Sequence, residues 1–302
     1  MKQCVLVNGA DNFIGRYLVA ALRQRDSGKV LAVDTGDAAA LRAALPEAQA
    51  VAHVVVGAAA AIARNSAMLY AAIRALTATP RVVHLSSMTV YGSQSGIVDE
   101  RSATPADLGG YSVAQLQAER DAARHSNTVI LRSGVEYGPD CPVWSERVVR
   151  YLRARRLGDL GAAGDGICNL VYIEDLRAAI LAALTHPQGG TEIFNVAARD
   201  KPTWNEYFTR FALALGAVPV KRISQRRLRV ESRLLAPPLK IAEICASRLG
   251  RAGLWLPPPL PASVIAVCSQ EISLSVAKAE EKLAIKWTSL SAGLDSTAAY
   301  YR

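Results

Sequence analysis

The 302-residue sequence is poor in cysteine, in long apolar runs and in targeting signals, and each shortage excludes a class of protein. Its five cysteines are scattered and have no metal-ligand spacing, which argues against a disulfide framework and a metal centre and is typical of thiols in a reducing cytoplasm. No segment reaches about 18 uncharged apolar residues, so no membrane-spanning helix is expected. The first residues carry no apolar signal-peptide core, and we therefore expect a cytoplasmic protein.

Positive charge is concentrated in one segment. The chain has a net charge of +9, and residues 221–251 alone hold nine basic and two acidic residues. Apolar residues interleave with this charge as far as residue 265, and three interpretations stay open: a helical lobe that covers the substrate, a surface for peripheral contact with anionic lipid, or a recognition site for an acidic substrate or partner. Nucleic acid is the least favoured partner, because no nucleic-acid-reading motif accompanies the charge.

Apolar runs and helical periodicities alternate through the first 132 residues. Such alternation produces parallel βαβ units, so the expected fold is α/β: a doubly wound parallel sheet (Rossmann fold) with a smaller, mostly helical C-terminal lobe. We assign 1–137 and 168–198 to a dinucleotide-binding core, and 138–167 and 199–302 to a substrate-binding lobe. Strands are predicted over 2–7, 30–33, 51–56, 81–86 and 128–132, and helices over 14–25, 38–45, 61–76 and 109–125.

A glycine-bearing turn follows the first predicted strand. Gly9 and Gly15 stand where a dinucleotide-binding turn needs a sharp bend and a close approach of helix to strand, and Asn12 replaces the glycine between them. Asparagine accepts positive φ better than most residues do, so the turn is expected to keep its shape. Together with Phe13 and Ile14, these residues form the predicted pyrophosphate site; the alternative is an ordinary strand–turn–helix corner.

Asp34 ends the second predicted strand, 25 residues after Gly9. Its carboxylate is suited to accept hydrogen bonds from an adenosine ribose and would repel the 2′-phosphate of NADP, which favours NAD as the cofactor. Few residues separate Asp34 from the strand predicted over 51–56. A shortened adenine pocket is therefore expected, with Asp37 contributing to it as well.

Hydroxyl side chains, among them Ser87 and Thr89, cluster where the fourth predicted strand ends, and Tyr111 lies in the next helix. A lysine four residues after such a tyrosine would share its helix face, stabilise the phenolate and form a proton relay with it. This chain has Gln115 at that position. Glutamine can donate and accept hydrogen bonds, but it supplies no charge. The sequence therefore contains a proton relay that lacks its cation.

These features, in this order, resemble the extended short-chain dehydrogenase/reductase family, the group of NAD-dependent epimerases, dehydratases and hydroxysteroid-type dehydrogenases. Residues 131–139 resemble the segment of the family's sixth strand, and 169–176 resemble its "DFVYVDDV" segment. The resemblance covers nearly the whole chain and implies NAD as cofactor and a small-molecule substrate. It also implies a homodimer formed through the helices near 61–76 and 109–125, and this expectation rests on analogy alone.

The resemblance also implies roles for single residues. By position, Ser87 would hydrogen-bond the substrate oxygen, Tyr111 would exchange its proton, and Thr89 would line the same pocket. Gln115 takes the place of the family's lysine, which binds the nicotinamide ribose and tunes the tyrosine. Asp34 would hold the adenosine ribose. Three backbone positions would lie against the nicotinamide: Ser133, Gly134 and Val135.

The substrate is expected to be largely apolar. Nucleotide-sugar members of the family hold the substrate diphosphate with an asparagine and an arginine, and here the corresponding positions are Val135 and Cys168, which bind phosphate poorly. The segment 131–139 is closer to hydroxysteroid-dehydrogenase and dihydroflavonol-reductase relatives. Three functions remain in competition: an NAD-dependent oxidoreductase, an NAD-binding pseudoenzyme or accessory protein, and a non-redox epimerase or dehydratase that retains its NAD.

Overall fold

The structure is a computed structural model that describes residues 3–25, 28–187, 189–230 and 262–302, with the isolated residues 234, 238 and 241. The described residues form ten strands and eleven α-helices, numbered here in chain order. The strands are β1 (Val5–Asn8), β2 (Val30–Val33), β3 (Ala50–His53), β4 (Arg81–Ser87), β5 (Gly96–Val98), β6 (Asn127–Ser133), β7 (Val135–Tyr137), β8 (Leu170–Tyr172), β9 (Gly190–Val196) and β10 (Ile272–Leu274). The helices are α1 (Phe13–Gln24), α2 (Ala38–Ala44), α3 (Ala59–Arg74), α4 (Gly110–Ala123), α5 (Arg147–Arg153), α6 (Ile173–Thr185), α7 (Trp204–Ala214), α8 (Gln225–Val230), α9 (Ala262–Cys268), α10 (Ala277–Leu283) and α11 (Leu290–Tyr301).

Six of these strands form one parallel sheet in the order β2-β1-β3-β4-β6-β9. Val5 of β1 lies opposite Val30 of β2 on one side and Ala50 of β3 on the other. The chain thus moves outward from β1 to β2 and returns to the far side of β1 as β3. Sheets of this kind bind ligands at such a reversal, outside the carboxyl ends of the strands. The predicted doubly wound fold is confirmed.

Strands β1, β3 and β4 are buried over their whole length, as a parallel sheet covered on both faces requires. On one face, Leu6, Val51 and Val82 of these strands pack in one apolar cluster with Leu69 and Ile73 of α3. This packing fixes the strand ends, and with them the loops that follow.

The elements predicted for the first 132 residues are present, with small displacements at their ends. The strand predicted over 51–56 is shorter and ends at His53. The reason is a hydrogen bond at the crevice: the Val54 carbonyl accepts from Nδ2 of Asn12 at 2.8 Å, so it is engaged by the turn after β1.

Internal contacts divide the chain into two units. The first contains the six-stranded sheet. The second has an aromatic core on α7, where Tyr207, Phe208 and Phe211 are fully buried. None of the helices in the described part of the chain has the length and apolar character needed to cross a bilayer. The first unit comprises 1–136, 170–199 and 274–288, and the second comprises 137–169, 200–273 and 289–302.

One segment differs from the predicted division, which assigned all of 199–302 to the substrate-binding lobe. Residues 274–288 group with the sheet instead. Lys278 Nζ donates to the carbonyl of Ile193 in β9 at 2.8 Å, and Thr288 Oγ1 donates to the carboxylate of Asp175 in α6 at 2.7 Å. These contacts join residues far apart in sequence, so no local pattern predicts them.

Candidate active site

The turn between β1 and α1 has the shape of a phosphate-binding turn. Gly9 has a φ of +98°, which favours glycine. A Cβ added to Gly15 would lie 2.0 Å from the Gly9 carbonyl oxygen, so only glycine allows α1 to approach the turn this closely. The first amides of α1, those of Phe13 and Ile14, lie at the positive end of the helix dipole.

Asn12 stabilises this turn with its side chain, and not through the positive φ that was predicted for it. Its φ is −84°, in the extended region, so the expectation of a tolerated positive φ was wrong. Its side chain caps α1 instead: Oδ1 accepts from Gly15 N at 3.0 Å while Nδ2 donates to Val54 O at 2.8 Å. Asn12 therefore ties the turn to the strand end across the reversal of the sheet.

The adenosine side of the site has two aspartates with different surroundings. Asp34 follows the last residue of β2 and its side chain is exposed. Asp37 caps α2, because its Oδ1 accepts from Ala40 N at 2.9 Å. The seven-residue α2 leads by a short turn directly into β3, and β2 is the edge strand of the sheet. This half of the sheet therefore has two strands, β1 and β2, within the described residues, which agrees with the predicted lack of room beside Asp34.

Ser87, Tyr111 and Gln115 come together at the carboxyl end of β4. Ser87 is the last residue of β4 and is nearly buried, while Tyr111 is the second residue of α4. Gln115 lies one turn further on, and its Nε2 donates to Tyr111 Oη at 3.0 Å. The Ser87 side chain also acts on Tyr111, because it lowers the pKa of the Tyr111 phenol. The structure thus joins the three residues that the sequence singled out.

The electrostatic surroundings of Tyr111 are the reverse of those in a tyrosine–lysine relay. Tyr111 as a whole is 38% exposed. Desolvation of its phenol oxygen raises the pKa of the phenol, and the negative charge of Glu136 raises it further. The side chains of Gln115 and Ser87 offset these effects only in part. Burial also raises the pKa of the Glu136 carboxyl, and the Ser133 side chain lowers that pKa in part. The phenol is therefore the stable form of Tyr111 at neutral pH.

Buried polar atoms in the site fit a hydroxyl-rich ligand such as a nicotinamide ribose. Gln115 Oε1 and Thr89 Oγ1 are buried and have no hydrogen-bond partner within the described residues. A buried polar atom without a partner costs about 1–3 kcal/mol, so a ligand hydroxyl that reached either atom would relieve that cost. Ser133, Gly134 and Val135 lie where β6 passes into β7. The residues between the Gly9 turn and Gln115 are therefore chemically suited to bind a dinucleotide.

An ion pair that sequence reasoning missed anchors α4 to the sheet. Glu119 accepts from Nε and Nη2 of Arg132 at 3.0 and 2.8 Å, and both side chains are buried. Ser86, next to the catalytic candidate Ser87, donates to the same carboxylate at 2.6 Å. The signal in the sequence was the spacing of Glu119 four residues after Gln115, on the same helix face.

Two predicted features fall largely outside the described residues. In the basic segment 221–251, the structure describes residues 221–230 and the isolated residues 234, 238 and 241. In the mixed basic and apolar stretch that continues to residue 265, it also describes 262–265. The three interpretations of this segment therefore stay predictions.

Comparisons with known proteins agree with this geometry. The model of the NAD dependent epimerase/dehydratase family matches residues 5–197. Among curated proteins, Protein YeeZ of Escherichia coli K12 is 29% identical over 141 residues, which cover 46% of this chain and 48% of YeeZ. The chain thus spans about half the length of the curated relatives that it matches.

Solved structures of similar shape cover nearly the whole chain. UDP-glucuronic acid 4-epimerase from Bacillus cereus, in complex with UDP-glucuronic acid and NAD, has a TM-score of 0.74 and 19% identity, with 98% of each chain covered. UDP-glucose 4-epimerase from Thermotoga maritima, with UDP-glucose, has a TM-score of 0.72 and 19% identity, with 99% of this chain and 98% of that one covered. Similarity at this level of identity shows a common fold.

Proposed function

This chain belongs to the NAD-dependent epimerase/dehydratase family, and on that premise we propose that it is an NAD-dependent oxidoreductase acting on a hydroxyl or carbonyl group of a largely apolar small molecule. The observation that carries the proposal is the grouping of Ser87, Tyr111 and Gln115 at the carboxyl end of β4, where Gln115 Nε2 donates to Tyr111 Oη and the Ser87 side chain lowers the pKa of the Tyr111 phenol. NAD is the cofactor of the family, as the sequence analysis predicted.

The residues that would hold NAD extend from the turn after β1 to α4. The amides of Phe13 and Ile14 at the start of α1 suit the pyrophosphate, and the exposed Asp34 carboxylate suits the adenosine ribose. Gln115 Oε1 is left to accept from the nicotinamide ribose. When bound, NAD accepts or supplies the hydride.

Ser87 and Tyr111 would handle the oxygen of the substrate. The Ser87 hydroxyl hydrogen-bonds the reacting oxygen and orients it, and Tyr111 exchanges a proton with that oxygen. Because Ser87 ends a fully buried strand, its hydroxyl is held in place by the sheet. Gln115 holds the Tyr111 oxygen in position by its hydrogen bond and adds no charge.

Two positions support a substrate without a diphosphate. Val135 and Cys168 are buried, and neither presents a charge or a strong donor to an anion. Burial raises the pKa of the Cys168 thiol well above its ordinary value, so it stays neutral. The Glu136 carboxylate near Tyr111 further disfavours an anionic group at the reacting end of the substrate.

Two other functions keep a specific argument in their favour. A cofactor-binding protein with little turnover is favoured by the missing cation at Gln115 and by the carboxylate of Glu136 beside Tyr111. An epimerase or dehydratase that retains NAD is favoured by the family to which the chain belongs.

The proposal is tested by following NADH consumption against a panel of apolar ketones and aldehydes. We expect wild-type protein to consume NADH with some member of the panel and Tyr111→Phe to lose about 10²–10⁴-fold in rate, the usual scale of acid–base catalysis. Tyr300→Phe, at an exposed position of α11, is the matched control and should keep wild-type activity. If the wild-type protein binds NADH but does not consume it, while the Gln115→Lys variant does consume it, the low-turnover function is favoured. If NAD copurifies with the protein and is never released, the epimerase or dehydratase function is favoured.

A further inference from the structure

Asp11 is a carboxylate in the turn that would hold the pyrophosphate. It lies between β1 and α1, and its side chain is exposed. The amides of Phe13 and Ile14 follow it closely, and a negative charge near a bound phosphate weakens binding by repulsion. A carboxylate at this position therefore needs another explanation, and its contacts with the turn after β2 provide one.

The Asp11 side chain joins the turns that follow two neighbouring strands. Its Oδ1 accepts from Thr35 N at 2.8 Å and from Thr35 Oγ1 at 2.7 Å, so one oxygen holds both the backbone and the side chain of Thr35. Arg16 of α1 in turn donates from Nη1 to the Asp11 backbone carbonyl at 2.8 Å. Desolvation raises the pKa of the Asp11 carboxyl, but the hydrogen bonds from Thr35 and the charge of Arg16 outweigh it, and the pKa is lowered. Asp11 is therefore ionised at neutral pH, and an ionised acceptor makes the stronger hydrogen bonds.

Asp34 is held by these contacts, because both of its neighbours in the chain are attached to the turn after β1. On one side, the Val33 carbonyl accepts from the Gly9 amide at 2.9 Å. On the other side, Thr35 is bound by Asp11. The exposed Asp34 side chain thus belongs to a backbone that is fixed at the residue before it and at the residue after it.

We propose that Asp11 is a positioning residue for the cofactor: by holding Thr35 it fixes Asp34 for contact with the adenosine ribose, and so favours NAD over NADP. This inference rests on the proposed function for its cofactor alone and does not depend on turnover of a substrate. Asp11 acts through Asp34 and need not touch the dinucleotide.

A fixed carboxylate distinguishes the two dinucleotides better than a mobile one does. Hydrogen bonds to the ribose hydroxyls need a defined position of the carboxylate, and a group that is already in place loses less conformational freedom on binding. A carboxylate that can move away loses part of this contact with NAD and also avoids the 2′-phosphate of NADP. Release of Asp34 therefore reduces the preference for NAD from both sides.

The test is calorimetric titration of wild type, Asp11→Ala and Asp11→Asn with NAD and with NADP. The ratio of the two affinities is the informative quantity, because repulsion of the pyrophosphate by Asp11 is common to both dinucleotides and cancels. We expect Asp11→Ala to lower the preference for NAD by roughly three- to tenfold, the effect of about one hydrogen bond. Asp11→Asn retains an oxygen acceptor for Thr35 and should keep most of the preference. Asp295→Ala, at an exposed position of α11, is the matched control and should leave the ratio unchanged.

Two results of this titration overturn the inference. An unchanged ratio in Asp11→Ala means that Asp11 does not affect cofactor choice. Equal losses in Asp11→Ala and Asp11→Asn mean that the charge of Asp11 acts on the dinucleotide, and not its contact with Thr35.

Two further measurements show whether Asp11 acts through Asp34. In an Asp34→Asn background, Asp11→Ala should change the ratio no further, and a full additional loss contradicts the proposal. In the protein without cofactor, Asp11→Ala should accelerate hydrogen exchange of the Thr35 amide, and unchanged exchange contradicts the contact.

Failure of this inference and failure of the oxidoreductase proposal give different results. A protein that shows the expected ratios but consumes no NADH defeats the oxidoreductase proposal and leaves the role of Asp11 standing. Turnover with an unchanged ratio in Asp11→Ala does the reverse. Absence of NAD binding by wild type overturns both.

Discussion

Tyr111 has unusual neighbours for the proton exchange that we propose for it. A neutral amide lies one helical turn away, and the negative charge of Glu136 raises the pKa of the phenol. Both differences make the phenolate less stable, so they act in the same direction. The surroundings of Tyr111 therefore favour binding and orientation of a substrate oxygen over removal of a proton from a substrate hydroxyl.

Replacement of Gln115 by lysine should restore the missing charge. The ammonium would stabilise the phenolate, lower the Tyr111 pKa and increase alcohol oxidation at neutral pH, within the roughly 10²–10⁴-fold range of acid–base effects. Oxidation rates measured across a pH series give the result, with Gln117→Lys on the exposed side of the same helix as the control. An unaltered pH profile in Gln115→Lys would mean that Tyr111 does not transfer the proton.

The sequence could predict one of these neighbours and not the other. Tyr111 and Gln115 are four residues apart in one helix, so their contact follows from helix geometry. Glu136 lies in a different element, β7, which follows β6, and the pairing of β6 with β4 brings Ser133 opposite Ser87. That register is a property of the folded sheet and cannot be read from local spacing.

At the scale of helices and strands, α4 carries Tyr111 and Gln115 and is held by a buried ion pair. Arg132 of β6 and Glu119 of α4 form two close hydrogen bonds, and Ser86 of β4 donates to the same carboxylate. Three elements therefore meet at the Glu119 carboxylate, and one of its partners, Ser86, is the residue before Ser87 in β4. These bonds hold α4 against β4 and β6.

Glu119→Gln should destabilise the protein by about 3–5 kcal/mol, because it leaves the buried Arg132 without its counter-charge. Chemical denaturation measures the change in the free energy of unfolding. Glu174→Gln removes the partner of Arg177 from a partly exposed pair within α6 and should cost no more than about 1 kcal/mol. Equal losses in the two variants would show that the buried pair does not anchor α4.

Element types were predictable because apolar runs and helical periodicities are local, and the strands and helices of the first 132 residues confirm them. Details set by distant contacts were not. The strand predicted over 51–56 ends at His53 because Val54 binds the Asn12 side chain, and residues 274–288 join the first unit through contacts to Ile193 and Asp175. Asn12 itself was expected to take a glycine-like φ and caps α1 instead.

At the scale of the whole molecule, the glycine turn and the Ser87–Tyr111 cluster lie at the carboxyl ends of one six-stranded sheet. The order of the strands places the reversal between β1 and β3, where the Asn12 side chain ties the turn to Val54. Beyond β1 on the adenosine side there is one strand, β2, in the described part of the sheet. We therefore expect a compact adenosine site in which Asp34 makes the main polar contact.

Calorimetric titration of the purified protein with NAD and with NADP tests the central claim most directly. We predict that NAD binds and that NADP binds more weakly, because the Asp34 carboxylate accepts from the ribose and repels a 2′-phosphate. Asp34→Asn should weaken NAD binding by roughly three- to tenfold, the effect of about one hydrogen bond, and should narrow the difference between the two dinucleotides. Absence of NAD binding, or tighter binding of NADP by wild-type protein, would contradict the account.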